Sequence, residues 1–229
     1  METHLEVDRK NNLVEIGSPK ERYPLIVRVV AKIISYIFHP IFIPVYLSWF
    51  IVETQSYLFA SFDRFEKTIF IARFAAIYVM FPLISVLLMK GLGFISSIYL
   101  RTQRDRIIPY VVCMIYYWWM WYVLHNQPQY SNEFVILSLA IFLASIGGLM
   151  ANISMKISMH AMAAGIMVAF VMMVGFSQDI SFGGYIAISI FLTGAICTAR
   201  LINGDHTIKE VYWGLFIGIL SLLIAIYFA

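Results

Sequence analysis

The sequence predicts an all-α integral membrane protein, a bundle of six to seven transmembrane helices with a site at one membrane face. Of its 229 residues, 61% are hydrophobic and 13% are charged, with a mean hydropathy of +0.82. Soluble domains are about half apolar and about a quarter charged. The apolar runs are also too long for the strands of a membrane barrel. The net charge of +3 is small, and no nucleic-acid partner is expected.

One domain is expected after a short tail. Residues 1–23 are polar and mixed in charge and are interpreted as a mobile or interfacial tail, and residues 24–229 as a single transmembrane helical domain. No cleavable signal peptide is apparent, so the first span is expected to target the chain. Because the connections are short, neighbouring helices should pack antiparallel. The apolar runs lie at 33–52, 68–89, 107–124, 133–151, 159–176, 183–199 and 211–228.

The first apolar run contains His39-Pro40 and then Pro44. Each proline lacks the backbone N–H that a helix interior uses, so the run is irregular in mid-span. We favour a kinked spanning helix, and the alternative is a re-entrant or interfacial hairpin with one piece on either side of the break. His39 is interpreted as a local polar contact at the kink rather than as a ligand.

Polar residues concentrate in three of the connections between runs. Two spans separate each of these connections from the next, so by parity all three lie on one side of the membrane, whether or not the first run spans it. They can therefore converge on one site. Their polar residues are Lys90, Arg101, Arg104, Asp105 and Arg106; Lys156, Ser158 and His160; and Arg200, Asp205, His206, Lys209 and Glu210.

The last of these connections has the most informative spacing. His206 and Glu210 are four residues apart, so a helix places them on one face, where the carboxylate can hydrogen-bond an imidazole nitrogen. Arg200 lies close enough to reach the same pocket. This segment combines a nucleophile, an orienting carboxylate and an anion-binding group.

The middle connection suits a phosphate. Ser158 directly precedes the helix predicted at 159–176 and can cap it, and a helix N-terminus attracts anions. His160, in the first turn, would face the same anion, with Lys156 just upstream. Two histidines at one phosphate indicate covalent catalysis, with one as nucleophile and the other as proton donor.

In this order the segments resemble the type 2 phosphatidic acid phosphatase superfamily, which includes lipid phosphatases and vanadium haloperoxidases. The resemblance is carried by residues 101–109, 156–160 and 199–214. The third family motif, Ser-Arg, five residues, His, three residues, Asp, and Gly four later, is similar to Ala199-Arg200, His206, Glu210 and Gly214 here. The second, Pro-Ser-Gly-His, is similar to Ile157-Ser158-Met159-His160. The first, Lys, six residues, Arg-Pro, is matched only in Arg106 and Pro109.

The chain departs from the family pattern at several positions. Glu210 stands for Asp, Ala199 for Ser, and Ile157 and Met159 for Pro and Gly. The family lysine has no counterpart, because Tyr99 occupies its place. The residues considered as its replacement are Arg101, Arg104 and Lys156.

The resemblance implies a mechanism and a ligand. His206 would attack phosphorus and form a phosphohistidine, Glu210 would hold its tautomer, and His160 would protonate the leaving alcohol and then activate water. The substrate would be a lipid phosphate or pyrophosphate, and neither a metal nor a cofactor is expected. The residues expected to bind the phosphate oxygens are Arg106, Ser158, Arg200, Lys156, Arg101 and Arg104.

Two other functions remain open at this point. A phosphotransferase on the same scaffold would place the phosphate on an acceptor lipid instead of releasing it. A non-catalytic binder or carrier of anionic lipids would lose binding in Arg200→Ala but not in His206→Ala. We expect a multi-pass protein of the cell (inner) membrane with an outward-facing site by analogy, although the clustered Lys and Arg residues by themselves favour the cytoplasmic side. The sequence does not specify the oligomeric state.

Other polar and aromatic residues have simpler interpretations. The cations Arg28, Lys32, Arg64, Lys67 and Lys90 are interpreted as headgroup anchors. The aromatic run at 116–122 is interpreted as an aromatic belt at the far interface, with a lipid-binding wall as the alternative. Gly147, Gly148 and Gly165 are expected to permit close helix contacts.

Overall fold

The computed structural model describes residues 4–7, 13–16, 23–60, 62–100, 102–177 and 182–229. The first two ranges form short strands, and the others contain eight α-helices, one of which, Arg64–Gly91, includes a π-helical stretch at Ala76–Met80. Six of these helices are long and apolar enough to cross a membrane, so the predicted all-α, multi-pass membrane bundle is confirmed. The helices are α1 (Leu25–Ile37), α2 (Ile43–Thr54), α3 (Arg64–Gly91), α4 (Gln103–His125), α5 (Asn132–Ser154), α6 (Met159–Phe176), α7 (Gly183–Ile202) and α8 (Ile208–Phe228).

The last six apolar runs correspond to α3–α8, and several of these helices continue past the apolar residues. α4 begins at Gln103, α7 continues to Ile202, and α8 begins at Ile208. The polar residues Arg106, Arg200 and Glu210 therefore lie in the terminal turns of helices rather than in free loops. Helix ends hold side chains more rigidly than loops do, which suits a site built at this face.

The first apolar run is broken, and its interpretation as a single kinked helix is wrong. α1 ends at Ile37 and α2 begins at Ile43. Pro40 cannot donate a helical hydrogen bond and disfavours helical geometry at the preceding residue, whereas Pro44 is tolerated in the first turn of α2. Neither helix reaches the length of the six spans.

α2 nevertheless runs through the bundle. Just before α2, in the break, His39 packs against His160 at the start of α6, with ring centroids 5.2 Å apart. Further along, Phe50 packs against Tyr185 at the start of α7, at 5.4 Å. Since α6 and α7 begin at opposite ends of the bundle, α2 extends from the site end towards the other end.

The tail contributes a small element that the sequence analysis did not predict. Strands β1 (His4–Val7) and β2 (Leu13–Ile16) pair antiparallel, with His4 opposite Ile16 and Val7 opposite Leu13. The remaining residues up to 22 lie outside the described part of the chain.

Glycines set the distance between α6 and α8. A Cβ on Gly214 would lie 2.6 Å from the Ser158 carbonyl oxygen, and one on Gly218 would collide with the Met162 carbonyl. Gly165 meets the backbone of α8 in the same way, as expected from the sequence. Small residues allow two membrane helices to approach at backbone distance. This contact holds the starts of α6 and α8 side by side.

The other predicted glycine contacts also occur, but they involve side chains. Gly147 faces Ile217 and Gly148 faces Tyr110. In the aromatic run, Trp118, Trp119 and Tyr122 are exposed on the far part of α4, as an aromatic belt requires. Tyr117 instead faces inward and lines the cavity described below.

Candidate active site

The three polar connections meet at one end of the bundle. At the α4–α5 contact, the Gln103 side chain donates to the Asn152 carbonyl at 3.0 Å, and the Asn152 amide returns a bond to the Gln103 carbonyl at 2.9 Å. At the α6–α8 contact, the Ser158 backbone N–H donates to the Glu210 carbonyl at 3.3 Å. Helix ends that are far apart in sequence are thus joined by direct hydrogen bonds.

His206 is buried, and its tautomer follows from its partners. Its Nδ1 lies 3.0 Å from the Lys156 carbonyl oxygen and 3.1 Å from Glu210 Oε2. Both oxygens can only accept, so Nδ1 carries the proton and donates to them. The lone pair of the neutral ring is therefore on Nε2. This is the arrangement that a nucleophilic imidazole needs.

The ionisation of His206 reflects opposing influences. Burial lowers the pKa of His206 below its usual value, the hydrogen bond to Glu210 raises it, and the positive charges of Arg106, Arg200 and Lys156 lower it further. The net direction is downward, so the neutral, nucleophilic form of the ring is favoured at pH 7.

The Glu210 carboxylate makes two contacts, one with a helix terminus and one with His206. It is the third residue of α8, where its carboxylate accepts from the Thr207 backbone N–H at 3.0 Å while Thr207 Oγ1 accepts from the Glu210 N–H at 3.3 Å. This is a capping box, a Ser/Thr followed three residues later by Glu. The same carboxylate oxygen orients His206, so the helix cap fixes the orienting group.

His160 has the opposite tautomer. Its Nε2 lies 3.1 Å from the carbonyl oxygen of Ser35 in the last turn of α1. A carbonyl only accepts, so Nε2 carries a proton, and the neutral ring has its lone pair on Nδ1. His160 and His206 both line one cavity.

Two arginine side chains, Arg106 and Arg200, line the same cavity as the two histidines. Arg106 is 5% exposed and donates from Nε to the Leu100 carbonyl at 2.9 Å and from Nη1 to the Ile157 carbonyl at 2.7 Å. Leu100 has a positive φ of 48°, an unusual conformation for a residue with a side chain, and its carbonyl contacts the arginine. Arg106 therefore fixes the geometry of the α3–α4 and α5–α6 connections beside the cavity.

Arg200 is held from two sides, and one of its three nitrogens makes no hydrogen bond to the described residues. Its Nη2 lies 2.8 Å from Asp205 Oδ2, and its Nη1 donates to Ser35 Oγ at 3.3 Å. Its Nε is buried and has no hydrogen-bond partner among the described residues. The turn that brings Asp205 back to Arg200 uses Gly204 at φ +69°, a conformation that favours glycine.

The cavity has a volume of about 820 Å³, and its charged side chains lie at one end. Away from that end its walls are mostly apolar and come from α2, α3, α4, α5 and α6. Tyr117 lies eleven residues after Arg106 on α4, so the apolar part extends about 16 Å along that helix. The side chains at the polar end include Lys32, Ser35, His39, Arg106, Lys156, His160, Arg200, Asp205 and His206.

The predicted site residues are not all in this cavity. Arg106, Lys156, His160, Arg200 and His206 line it, and Glu210 lies directly behind His206.

The other predicted phosphate ligands are placed differently. Ser158 is fully buried and caps α6, as predicted, but it does not line the cavity, because its hydroxyl accepts from the Ala161 N–H. Arg104 is exposed and does not line the cavity either. Arg101 lies outside the described residues.

Five polar residues at the charged end of the cavity were not among the predicted site residues: Lys32, Ser35, His39, Asn203 and Asp205. Lys32 had been interpreted as a headgroup anchor and His39 as a contact local to the kink. Lys32, Ser35 and His39 are three and then four residues apart, a spacing that places side chains on one face of a helix. This spacing was the feature of the sequence that could have indicated their shared location. Asp205 gave no separate signal, because it was one charge among several in its connection.

Across the described ranges, no group of three or more His, Cys, Asp or Glu side chains is placed to hold a metal ion. Comparison of the chain with protein-family models, curated proteins and solved structures found no match.

Proposed function

We propose that the protein is a membrane-embedded, metal-independent phosphatase that hydrolyses a lipid phosphate or pyrophosphate through a phosphohistidine intermediate. One observation carries this proposal. Two imidazoles with complementary free nitrogens, Nε2 of His206 and Nδ1 of His160, line the same cavity as Arg106, Lys156 and Arg200. The motif resemblance to type 2 phosphatidic acid phosphatases supports the same chemistry.

In the first step, His206 Nε2 forms a bond to phosphorus as the bond from phosphorus to the ester oxygen breaks. Protonated His160 donates the Nδ1 proton to the departing oxygen, so a neutral alcohol leaves. In the second step, His160 Nδ1 takes a proton from water as the water oxygen bonds to phosphorus and the bond from phosphorus to His206 Nε2 breaks. Inorganic phosphate is released and both rings return to their initial states.

The cations stabilise the negative charge of the phosphoryl group. Arg106, Lys156 and Arg200 come from three different connections, so they can contact phosphate oxygens from separate directions. Charge-assisted bonds of this kind, preorganised in a water-poor site, supply much of the rate enhancement in phosphoryl transfer. Glu210 stabilises the positive charge that develops on His206 during the attack.

The shape of the cavity supports a lipid rather than a soluble phosphate ester. An anionic headgroup fits the polar end, and the apolar part, about 16 Å long by helix rise, suits a hydrocarbon chain. Leu83 and Leu87 line this part and keep about half of their surfaces exposed, at 50% and 52%. An opening beside these two leucines would let the hydrocarbon chain of a lipid enter the cavity sideways from the bilayer.

The test is phosphate release by the purified protein from a panel of lipid phosphates and pyrophosphates with EDTA present. We expect free phosphate, inhibition by vanadate, and a loss on the order of 10³-fold or more in His206→Ala. His125→Ala, at an exposed position at the far end of α4, is the matched control and should keep wild-type turnover. Full turnover in His206→Ala would refute the proposal.

The same panel separates the other two functions. Phosphate recovered on a second lipid instead of in solution identifies a phosphotransferase. Headgroup binding without turnover, retained in His206→Ala and lost in Arg200→Ala, identifies a binder or carrier.

We also propose that the protein resides in the cell (inner) membrane with its site on the outer face. Lys209 is exposed at the start of α8 and is suitable for labelling. Lys209→Cys, in a chain whose Cys113 and Cys197 are replaced by Ser, should react with a membrane-impermeant thiol reagent added outside intact cells. Reaction only after permeabilisation would place the site inside.

A further inference from the structure

Ser35 joins α1 to the site through its side chain. It is 8% exposed and lies in the last turn of α1. Its hydroxyl donates to the Ala31 carbonyl at 2.9 Å and accepts from Arg200 Nη1 at 3.3 Å and from Asn203 Nδ2 at 3.1 Å. A hydroxyl has one proton to donate and two lone pairs to accept with, so all of its capacity is used.

The backbone of Ser35 contacts the second histidine. The Ser35 carbonyl accepts from His160 Nε2 at 3.1 Å. In an unbroken helix, this carbonyl would accept from the backbone N–H of His39, four residues later. α1 ends at Ile37, before that bond can form, so the break at Pro40 leaves the carbonyl available to His160.

His39 supports the same ring from another side. The His39 and His160 rings meet edge to face, with centroids 5.2 Å apart and an interplanar angle of 82°. His39 Nδ1 accepts from the Ile41 N–H at 3.4 Å. Burial, and next the charge of Arg200, lower the pKa of His39 to about 4, so it is neutral at pH 7 and adds no further cation to the site.

From these contacts we infer that the break in the first apolar run is part of the active site, with Ser35 and His39 as positioning residues. The Ser35 carbonyl selects the Nε2–H tautomer of His160, and the His39 ring holds that imidazole in its orientation. The Ser35 hydroxyl holds Arg200 and Asn203 at the same point. This inference rests on the proposed function, because it makes Nδ1 of His160 the atom that transfers the proton.

The kinetic test compares His39→Ala, His39→Phe and the His125→Ala control with a lipid phosphate substrate. We expect His39→Ala to lower kcat on the order of 10- to 100-fold with little change in KM, because a misoriented general acid and base loses part of its 10²- to 10⁴-fold contribution. His39→Phe keeps an aromatic ring against His160 and should restore most of kcat. Equal losses in the Phe and Ala variants would overturn the inference, because the imidazole itself would then be required.

A second measurement is independent of turnover. Long-range ¹H–¹⁵N NMR spectra of histidine-labelled protein report which ring nitrogen carries the proton, and the chain has only five histidines to assign. At a pH where the His160 ring is neutral, we expect its Nε2–H form in the wild type and a loss of that preference in Pro40→Ala, where the helix can continue and occupy the Ser35 carbonyl.

These outcomes separate the two proposals. An Nδ1–H tautomer of His160 in the wild type, or a tautomer unchanged in Pro40→Ala, would overturn the inference whether or not the protein is a phosphatase. Failure of the wild type to release phosphate, with the tautomer as expected, would contradict only the proposed function.

Discussion

Glu210 Oε2 lies 3.1 Å from His206 Nδ1, and the same oxygen caps α8. The orientation of the proposed nucleophile is therefore tied to the start of a membrane-spanning helix. We expect Glu210→Gln to lower kcat on the order of 10²- to 10⁴-fold, because an amide stabilises the charged intermediate poorly and can favour the wrong ring tautomer. Steady-state phosphate release measures this effect. Glu133→Gln, in the first turn of α5, is the matched control and should be unaffected.

The length of the Glu210 side chain gives a separate prediction. Aspartate at this position cannot reach both the Thr207 N–H and the His206 ring as glutamate does, so Glu210→Asp should lose either the cap or the orienting bond. Loss of a cap costs about 0.5–2 kcal/mol in folding free energy. Thermal unfolding and kcat should therefore both change, and a variant with wild-type values of both would contradict the dual function.

The pH dependence follows from the lowered pKa of His206. The ring must be neutral to attack, so activity is lost as pH falls through its pKa. Because burial and the charges of Arg106, Arg200 and Lys156 depress that pKa while Glu210 raises it, the acid limb of kcat/KM should lie below the usual histidine value of 6.5. In Glu210→Gln the raising influence is gone, so the limb should move to still lower pH. The substrate phosphate titrates in the same way in both profiles, so its contribution cancels in the comparison. A shift of the acid limb to higher pH in Glu210→Gln would refute the assignment of that limb to His206.

Gly214 provides a test of the packing that aligns the site. A Cβ there would lie 2.6 Å from the Ser158 carbonyl oxygen, so Gly214→Ala must push α8 away from the start of α6. We expect a loss of about 1–3 kcal/mol in stability, as for overpacked cores, together with reduced kcat. Gly194→Ala is the control, because nothing lies within 4 Å of a Cβ at that position of α7. Thermal unfolding in detergent should give a lower Tm for Gly214→Ala but not for Gly194→Ala.

The apolar part of the cavity predicts a dependence on chain length. Ala144 is buried on α5 and lines this part, so Ala144→Phe should shorten the space available to a hydrocarbon chain. Turnover of long-chain lipid phosphates should fall at least several-fold more than turnover of short-chain analogues. Ala187→Phe, at an exposed position on α7, is the matched control. An equal loss of turnover for long-chain and short-chain substrates would mean that the hydrocarbon chain does not occupy this space.

The sequence was sufficient to place the six spans and the face where their polar ends meet. Long apolar runs have few alternatives in a bilayer, and parity alone places residues 106, 160 and 206 on one side. The position of the first apolar run was not predictable in the same way. Its prolines indicated a break, but membrane helices associate through local packing and small residues, and apolar patterning does not specify which neighbours they contact. For that reason Ser35 and His39 were not assigned to the site.

Ser158 and Glu210 show the limits of carrying a motif over to a structure. Ser158 occupies the position of a phosphate ligand in the family motif, yet its hydroxyl is buried as a helix cap. Glu210 stood in the sequence only as a departure from the motif aspartate, whereas in the structure its carboxylate completes a capping box. In both cases the partner groups are backbone atoms of a neighbouring turn, whose positions depend on where each helix begins.

The most direct test of the central claim is trapping of the covalent intermediate. Wild-type protein and His206→Ala are incubated with a ³²P-labelled lipid phosphate in EDTA, quenched within one turnover and examined for protein-bound label. The account predicts label on the wild type that is stable in alkali and lost in acid, as expected for phosphohistidine, and none on His206→Ala. Hydrolysis without labelled protein, or equal labelling of His206→Ala, would contradict it.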